Sequence, residues 1–177
     1  MKITIKITFA AFFSATMMLF AGLAEAQTTK EEFLAKWENG KQFTLDVLDK
    51  MPETELDFKP DPEAMSFKEQ IHHIAESIVG ISKGFLKGAD NAPAIELATA
   101  SKADLAKFVA ATYDYGTATV KALSDADAAE KIEVFGTTTV SRRQVEALLM
   151  DHCTHHRGSA IAYLRFKGIA PPEFVGF

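Results

Sequence analysis

Histidines are the residues of this chain whose type and spacing could do chemistry. His152, His155 and His156 lie within one stretch of five residues, and His72 and His73 form a second group upstream. Side chains four positions apart on a helix project side by side, so His152 and His156 can bind one divalent ion. This spacing, with a second cluster elsewhere, favours a metal site over a pair of hydrogen-bonded core histidines.

The direction of these side chains depends on which face of their helix is buried. At about 100° per residue, the apolar stripe of the last predicted helix is centred near His152 and includes His156, with His155 at its edge. Cys153 and Arg157 point well away from that centre. We therefore expect both central histidines to face inward, and Cys153 to be a poor candidate for a nucleophile.

The third ligand is harder to choose from spacing. The apolar seam of the second predicted helix is centred near Ile71, Ile74 and Ile78, and His72 and His73 lie on opposite sides of it. Neither ring points into the seam, so periodicity gives His73 only a slight preference. Solvent exposure of both rings is an equal alternative.

No catalytic residue stands out beside the histidines. Asp151 and Glu69 are close to them in sequence, but a solvated carboxylate is the simpler interpretation of each. Tyr115, near the inner stripe of the third predicted helix, is the better tyrosine candidate to reach the site, although ordinary packing is favoured. The general base therefore stays unassigned.

Helix-start motifs precede every long segment with helical periodicity. In these capping boxes a Ser or Thr is followed three residues later by an acid or amide. The predicted helices span residues 29–50, 66–87, 101–123 and 141–167, the last ending at Gly168 before Pro171-Pro172.

Long amphipathic helices of this number predict an all-α four-helix bundle. Residues 52–65 are expected to form a loop, and residues 125–140 a connection. Within that connection, 131–135 and 137–140 could pair as a small hairpin around Gly136, although two short strands alone are marginal.

The N-terminus has the features of a secretory signal peptide. Lys2 and Lys6 precede an apolar run that ends at Leu23, and Ala24-Glu25-Ala26 matches a signal-peptidase site. Residues 1–26 are therefore predicted to be removed, which leaves one domain at 27–177 in the periplasm. The alternative is a retained membrane anchor.

Charge and cysteine content narrow the function classes. Removing the predicted signal peptide leaves 17 basic and 23 acidic residues, a net charge near −6, and no basic run. Nucleic acid is therefore not an expected partner, and neither is a membrane once the signal peptide is cleaved. Cys153 is the only cysteine, so an exported chain has no internal disulfide.

Two segments resemble the DinB-like family of bacterial bundles, which shares a name but neither fold nor chemistry with a DNA polymerase. Ser66–Ala75 is similar to the start of that family's second helix, and Asp151–Gly158 to part of its last helix. The likeness covers about residues 30–177. One departure is Ser159, because many members have Gln after the Arg-Gly of this motif.

The resemblance implies a histidine triad around a divalent ion, carried over to His73, His152 and His156. His72 and His155 receive no family role. Some relatives resemble transferases or isomerases that use a small thiol, and others resemble metal-dependent hydrolases.

Three neutral imidazoles leave an ion with an open position, which is typical of a catalytic site, and zinc or nickel suits nitrogen ligands. Small thiols are chiefly cytosolic, so export favours a hydrolase acting on an unidentified small molecule. The alternatives are a thiol-dependent S-transferase or isomerase, and a bundle that binds metal or a small ligand without turning it over.

A homodimer that docks through an apolar patch containing Trp37 and Phe43 is a further option, although core packing is the simpler role for both residues.

Overall fold

The computed structural model describes residues 28–176, and four long α-helices form most of this part of the chain. The elements are α1 (Lys30–Lys50), a 3-10 turn (Glu53–Glu55), α2 (Phe67–Phe85), α3 (Lys102–Ala122), the short α4 (Asp125–Ala129), strands β1 (Lys131–Val134) and β2 (Thr138–Ser141), and α5 (Arg142–Phe166). The all-α prediction is therefore confirmed. The predicted signal peptide, residues 1–26, lies outside the described residues.

The predicted helix starts are confirmed by their caps. In each long helix the N-cap hydroxyl accepts a hydrogen bond from the backbone N–H three residues later. The side chain of that later residue accepts a second hydrogen bond from the backbone N–H of the N-cap. The N-caps are Thr29, Ser66, Ser101 and Ser141. Each cap stabilises its helix by about 1 kcal/mol. A further box at Ser124 starts α4, in a segment that was predicted only as a connection.

The long helices pack in a ring. Helix α1 lies against α3 and α5, and α2 lies against the same two helices from the other side. Helices α1 and α3 approach closely where Gly116 of α3 meets Trp37 of α1. A Cβ at Gly116 would lie 2.9 Å from the Trp37 ring and 3.2 Å from Ile78 of α2, so a larger residue cannot be accommodated without movement.

Trp37 and Phe43 belong to the core, which contradicts the option of an exposed docking patch that contains them. Their exposed fractions are 1% and 5%. The indole N–H of Trp37 donates to the Tyr113 carbonyl across the α1–α3 contact at 3.1 Å. No helix within residues 28–176 is long and apolar enough to cross a bilayer.

The buried face of α5 differs from the predicted stripe. Cys153 and Arg157, which were expected to point away from the inward face, are 1% and 8% exposed, whereas Leu148 is 36% and Phe166 70% exposed. Helix α5 packs against both α1 and α2, so its buried face is rotated toward α1. The Arg157 guanidinium fills that contact and donates to the Gly40 carbonyl at 3.2 Å.

The predicted hairpin around Gly136 is confirmed. Strands β1 and β2 are antiparallel, with Val134 paired to Thr138. Val134 is buried in the core, which explains how so short a hairpin is held. Arg142 also ties the base of the hairpin to α2, because its guanidinium donates to the Phe85 carbonyl at 2.6 Å.

Candidate metal centre

Helices α2 and α5 bring His73, His152 and His156 together. The ring centroid of His73 lies 5.1 Å from that of His152 and 4.5 Å from that of His156. The centroids of the two α5 rings are 4.6 Å apart. One nitrogen from each ring lies within 4.8 Å of the others, and all three side chains are partly buried. The upstream histidine that faces α5 is therefore His73, which spacing alone had only slightly preferred.

The donor set suits a divalent transition metal. With metal–nitrogen bonds of about 2.0–2.1 Å, tetrahedral ligands lie about 3.4 Å apart. The three ring nitrogens, within 4.8 Å of one another, are therefore near the spacing of ligands that share one ion. Three imidazoles are soft enough for zinc or nickel and occupy fewer positions than either ion accepts. The cluster could therefore hold an ion with at least one position left for another ligand.

Gln70 sets the tautomer of His156. The Gln70 Oε1 lies 2.7 Å from His156 Nδ1, and an amide oxygen only accepts, so Nδ1 carries the proton and Nε2 keeps its lone pair. The Gln70 amide is held in turn, because its Nε2 donates to the Tyr163 hydroxyl at 3.4 Å. Tyr163 donates to the Met65 carbonyl at 3.0 Å. This chain of bonds orients the ring as metal-binding histidines require.

Ser77 lies between the other two rings. Its hydroxyl is 2.9 Å from His152 Nε2 and 3.4 Å from His73 Nε2. Both Nε2 atoms therefore face the same point, one turn of α2 beyond His73. Sequence reasoning missed Gln70 and Ser77, although both lie three or four residues from His73 and so on its helical face.

Burial favours the neutral form of the two α5 imidazoles, those of His152 and His156. Partial burial, followed by the neighbouring His73 and His152, lowers the pKa of His156 to about 4. Partial burial, followed by His73 and His155, also lowers the pKa of His152 below its ordinary value. Neutral rings have the free lone pair that binding of a cation requires.

His72 and His155 lie outside this convergence. The His72 ring stacks on Phe108 with centroids 5.6 Å apart, and its Nδ1 lies 3.8 Å from Glu76 Oε2. His155 is exposed, and its ring meets the His156 ring at a right angle, with centroids 4.8 Å apart.

The other candidates from the sequence do not reach the cluster. The Tyr115 hydroxyl donates to the Ala89 carbonyl at 2.6 Å, which agrees with the favoured prediction that Tyr115 has an ordinary packing role. Glu69 caps α2 at the Ser66 N–H, and Asp151 is exposed and lines a cavity of about 620 Å³ on another side of α5. Cys153 is buried, which raises the pKa of its thiol to about 12 and makes it a weak nucleophile, as predicted.

An open recess adjoins the histidines. It has a volume of about 430 Å³, within the range of small-molecule sites. Its lining consists of His73, Glu76, Ser77, Gly80, Ile81, Phe85, Phe135, Leu148 and His152. Among these described residues Glu76 is the one carboxylate, and sequence reasoning did not single it out. A ligand in the recess could therefore contact both the imidazoles and an apolar wall.

Comparison with known proteins agrees with this architecture. The family model described as the DinB superfamily matches residues 36–160. A DinB-like protein from Bacillus subtilis is similar in structure, with TM-score 0.67 and 20% identity over 81% of this chain and 96% of that one. A DinB-like protein from Bacillus cereus has TM-score 0.70 and 17% identity over 82% of this chain and 97% of that one. At such identities the likeness shows the fold, and no curated protein matches the chain.

Proposed function

Because the chain belongs to the DinB superfamily, we propose that it is a metal-dependent hydrolase whose divalent ion, zinc or nickel, is held by His73, His152 and His156. The observation that carries this proposal is the convergence of three ring nitrogens within 4.8 Å beside an open recess. A structural ion is usually enclosed by four protein ligands, whereas three ligands and an open side are typical of catalysis.

The ion would supply Lewis acidity, which polarises a carbonyl and lowers the pKa of bound water to about 7. The protein's own groups have separate tasks. Gln70 holds His156 with Nε2 free. The Ser77 hydroxyl, beside two ring nitrogens, is placed to donate to a group bound there. Glu76 lines the recess and is the candidate to accept a proton on its carboxylate.

Hydrolysis is favoured over thiol transfer by the predicted compartment. The proposed signal peptide places the mature chain, 27–177, in an oxidising envelope where small cytosolic thiols are scarce. The apolar recess also provides for the non-reacting part of a neutral substrate. Intact-mass measurement of protein purified from exporting cells tests the compartment, with Gln27 expected as the first residue.

Metal analysis of the purified full chain, with matched histidine variants, tests the site. Wild type and His155→Ala should carry about one ion per chain, and His152→Ala much less than one. Equal content in all three would contradict the ligand assignment. His155 is the control because it lies next to the cluster on α5 but outside its convergence.

Activity panels then separate the reaction classes. Zinc and nickel forms are assayed against esters, amides and thiol conjugation. Ester or amide hydrolysis that His152→Ala abolishes would support the proposal. Thiol conjugation alone would favour the transferase class, and inactivity in all assays with stoichiometric metal would favour a non-catalytic metal-binding protein.

A further inference from the structure

The hairpin turn contains a phenylalanine in an unfavourable backbone conformation. Phe135 has φ 52° and Gly136 has φ 74°, and the Thr137 N–H closes the turn on the Val134 carbonyl at 3.4 Å. Turns with positive φ at both central residues favour Asn-Gly, because a bulky side chain is strained in the left-handed region. Strain of this kind is concentrated at functional sites.

The same residue leaves a large apolar ring at the surface. Phe135 is 67% exposed, so burial in the core does not compensate for its backbone strain. Its ring meets Phe85 of α2 edge to face, with centroids 5.2 Å apart. Both rings line the recess beside His73 and His152. The turn therefore holds an exposed aromatic side chain in the wall of the recess.

The chemistry of the wall points to one class of occupant. Away from the histidines, the lining is aliphatic and aromatic, with Ile81 and Leu148 beside the two phenylalanines. No lysine or arginine occurs among the described residues that line it, and the one carboxylate, Glu76, would repel an anion. Away from the proposed ion, a neutral group with an apolar chain or ring therefore fits this lining better than a carboxylate or phosphate.

Gly80 provides the space on the α2 side. A Cβ built there meets no described atom within 4 Å, so the missing side chain leaves open volume in the recess. Gly84, one turn later on the same helix, also has open space at its Cβ but does not line the recess. The two glycines are thus a matched pair for testing whether a ligand occupies the recess.

We propose that this recess binds the apolar acyl group of a neutral ester or amide substrate, and that Phe135 and Gly80 determine the acyl specificity. This inference rests on the proposed hydrolase function for the position of the scissile carbonyl near the histidines. The apolar acyl group extends from there along Ile81 and Leu148 and ends against the rings of Phe85 and Phe135.

The first test uses a reporter that needs neither metal nor turnover. Binding of the neutral apolar fluorophore N-phenyl-1-naphthylamine to the full chain is measured for wild type, Gly80→Leu and Gly84→Leu. Gly80→Leu should weaken binding by about tenfold or more, because its side chain fills the recess, and Gly84→Leu should bind as wild type does. Equal binding by the two leucine variants would overturn the assignment of the recess.

The second test measures acyl selectivity. The ratio of kcat/KM for p-nitrophenyl hexanoate to that for p-nitrophenyl acetate should fall about tenfold in Gly80→Leu and not in Gly84→Leu. Phe135→Asn, which suits the left-handed turn and removes the ring, should lower the same ratio without loss of folding. If Gly80→Leu does not fold, the ratio measured for Phe135→Asn tests the specificity assignment in its place.

The outcomes separate this inference from the proposed function. Fluorophore binding is measured for Phe135→Asn in the same way. Weaker binding by Gly80→Leu and Phe135→Asn, with Gly84→Leu like wild type, supports the recess as an apolar binding site even if wild type hydrolyses neither esters nor amides. In that case the hydrolase proposal fails, and with it the acyl assignment, while the apolar site stands. Ester hydrolysis with an unchanged selectivity ratio in both variants overturns the specificity assignment and leaves the hydrolase proposal standing.

Discussion

The side chain of Gln70 on α2 accepts a 2.7 Å hydrogen bond from Nδ1 of His156 on α5. This bond crosses the contact between the two helices that carry the histidine cluster. It leaves Nε2 of His156 as the ring nitrogen with a free lone pair. The orientation of one proposed ligand thus depends on a residue of the opposite helix.

Replacing Gln70 should weaken metal binding without removing a ligand. Gln70→Ala is expected to lower zinc affinity by about 10–100-fold, because the His156 ring loses its orienting acceptor. Competition with a chromophoric chelator measures the effect. Gln42→Ala is the control, because Gln42 bonds only to Asp46 on the exposed face of α1 among the described residues. Equal zinc affinity in the two variants would show that Gln70 does not support the site.

A thiol at position 77 should become a fourth ligand. Ser77→Cys places sulfur where the hydroxyl lies 2.9 Å from His152 Nε2 and 3.4 Å from His73 Nε2. Zinc affinity should rise at least about tenfold, and the cobalt form should gain a sulfur-to-metal charge-transfer band. Hydrolysis should be lost, because the open position is filled. Ser77→Ala provides the reference, and a cobalt spectrum of Ser77→Cys that matches it would contradict this placement.

Neutralising Glu146 should stabilise the fold at neutral pH. Glu146 is 7% exposed, and its Oε1 has no hydrogen-bond partner among the described residues. Burial raises the pKa of this carboxyl above its ordinary 4.5, although the charges of Arg143 and Lys30 oppose the shift. A carboxyl group whose pKa is higher in the folded chain than in the unfolded chain stabilises the fold when it is protonated. This contribution is complete below pH 4.5 and is lost as pH rises through the pKa of Glu146 in the folded chain.

Glu146→Gln should therefore have a larger free energy of unfolding than wild type at pH 7, and the difference should shrink as pH falls toward 4.5. Urea denaturation at several pH values measures this trend. The exposed Glu63→Gln serves as control and should show no such dependence. A Glu146→Gln variant less stable than wild type at pH 7 would show that the carboxylate has a stabilising partner.

Gly116 should tolerate no side chain at the contact of α1 and α3. Gly116→Ala should lower the free energy of unfolding by about 1–3 kcal/mol, because its methyl group would lie 2.9 Å from the Trp37 ring. Gly84→Ala, on an exposed helical face with open space, should raise it by about 0.5–1 kcal/mol. Chemical denaturation of both variants measures the contrast. A stabilised Gly116→Ala would show that the Trp37 ring moves freely.

Local sequence determined the helices and their starts. A capping box acts within four residues, so Ser66, Ser101 and Ser141 specify helix starts without reference to the rest of the fold. The i, i+4 spacing of His152 and His156 is equally local, and it places the two rings together on any helix. The hairpin around Gly136 followed from its turn glycine and short flanking strands.

Tertiary structure decided how each helix is rotated about its axis. An amphipathic pattern defines an apolar stripe, but the helices packed on either side determine which neighbouring positions are also buried. Packing of α5 against both α1 and α2 therefore buries Cys153 and Arg157, although the helical periodicity predicted that both point away from the buried face. The orientation of α2 against α5 likewise brings His73 rather than His72 to the two histidines of α5.

The surroundings of the histidines also depend on contacts between residues far apart in sequence. Gln70 and Phe85 lie on α2, whereas their partners His156 and Phe135 lie on α5 and in the hairpin turn. No periodicity within one segment encodes the distance between two segments, because that distance results from packing of the whole core. The sequence alone thus indicated which residue types could bind an ion, and only the folded chain determined their orientation and the recess beside them.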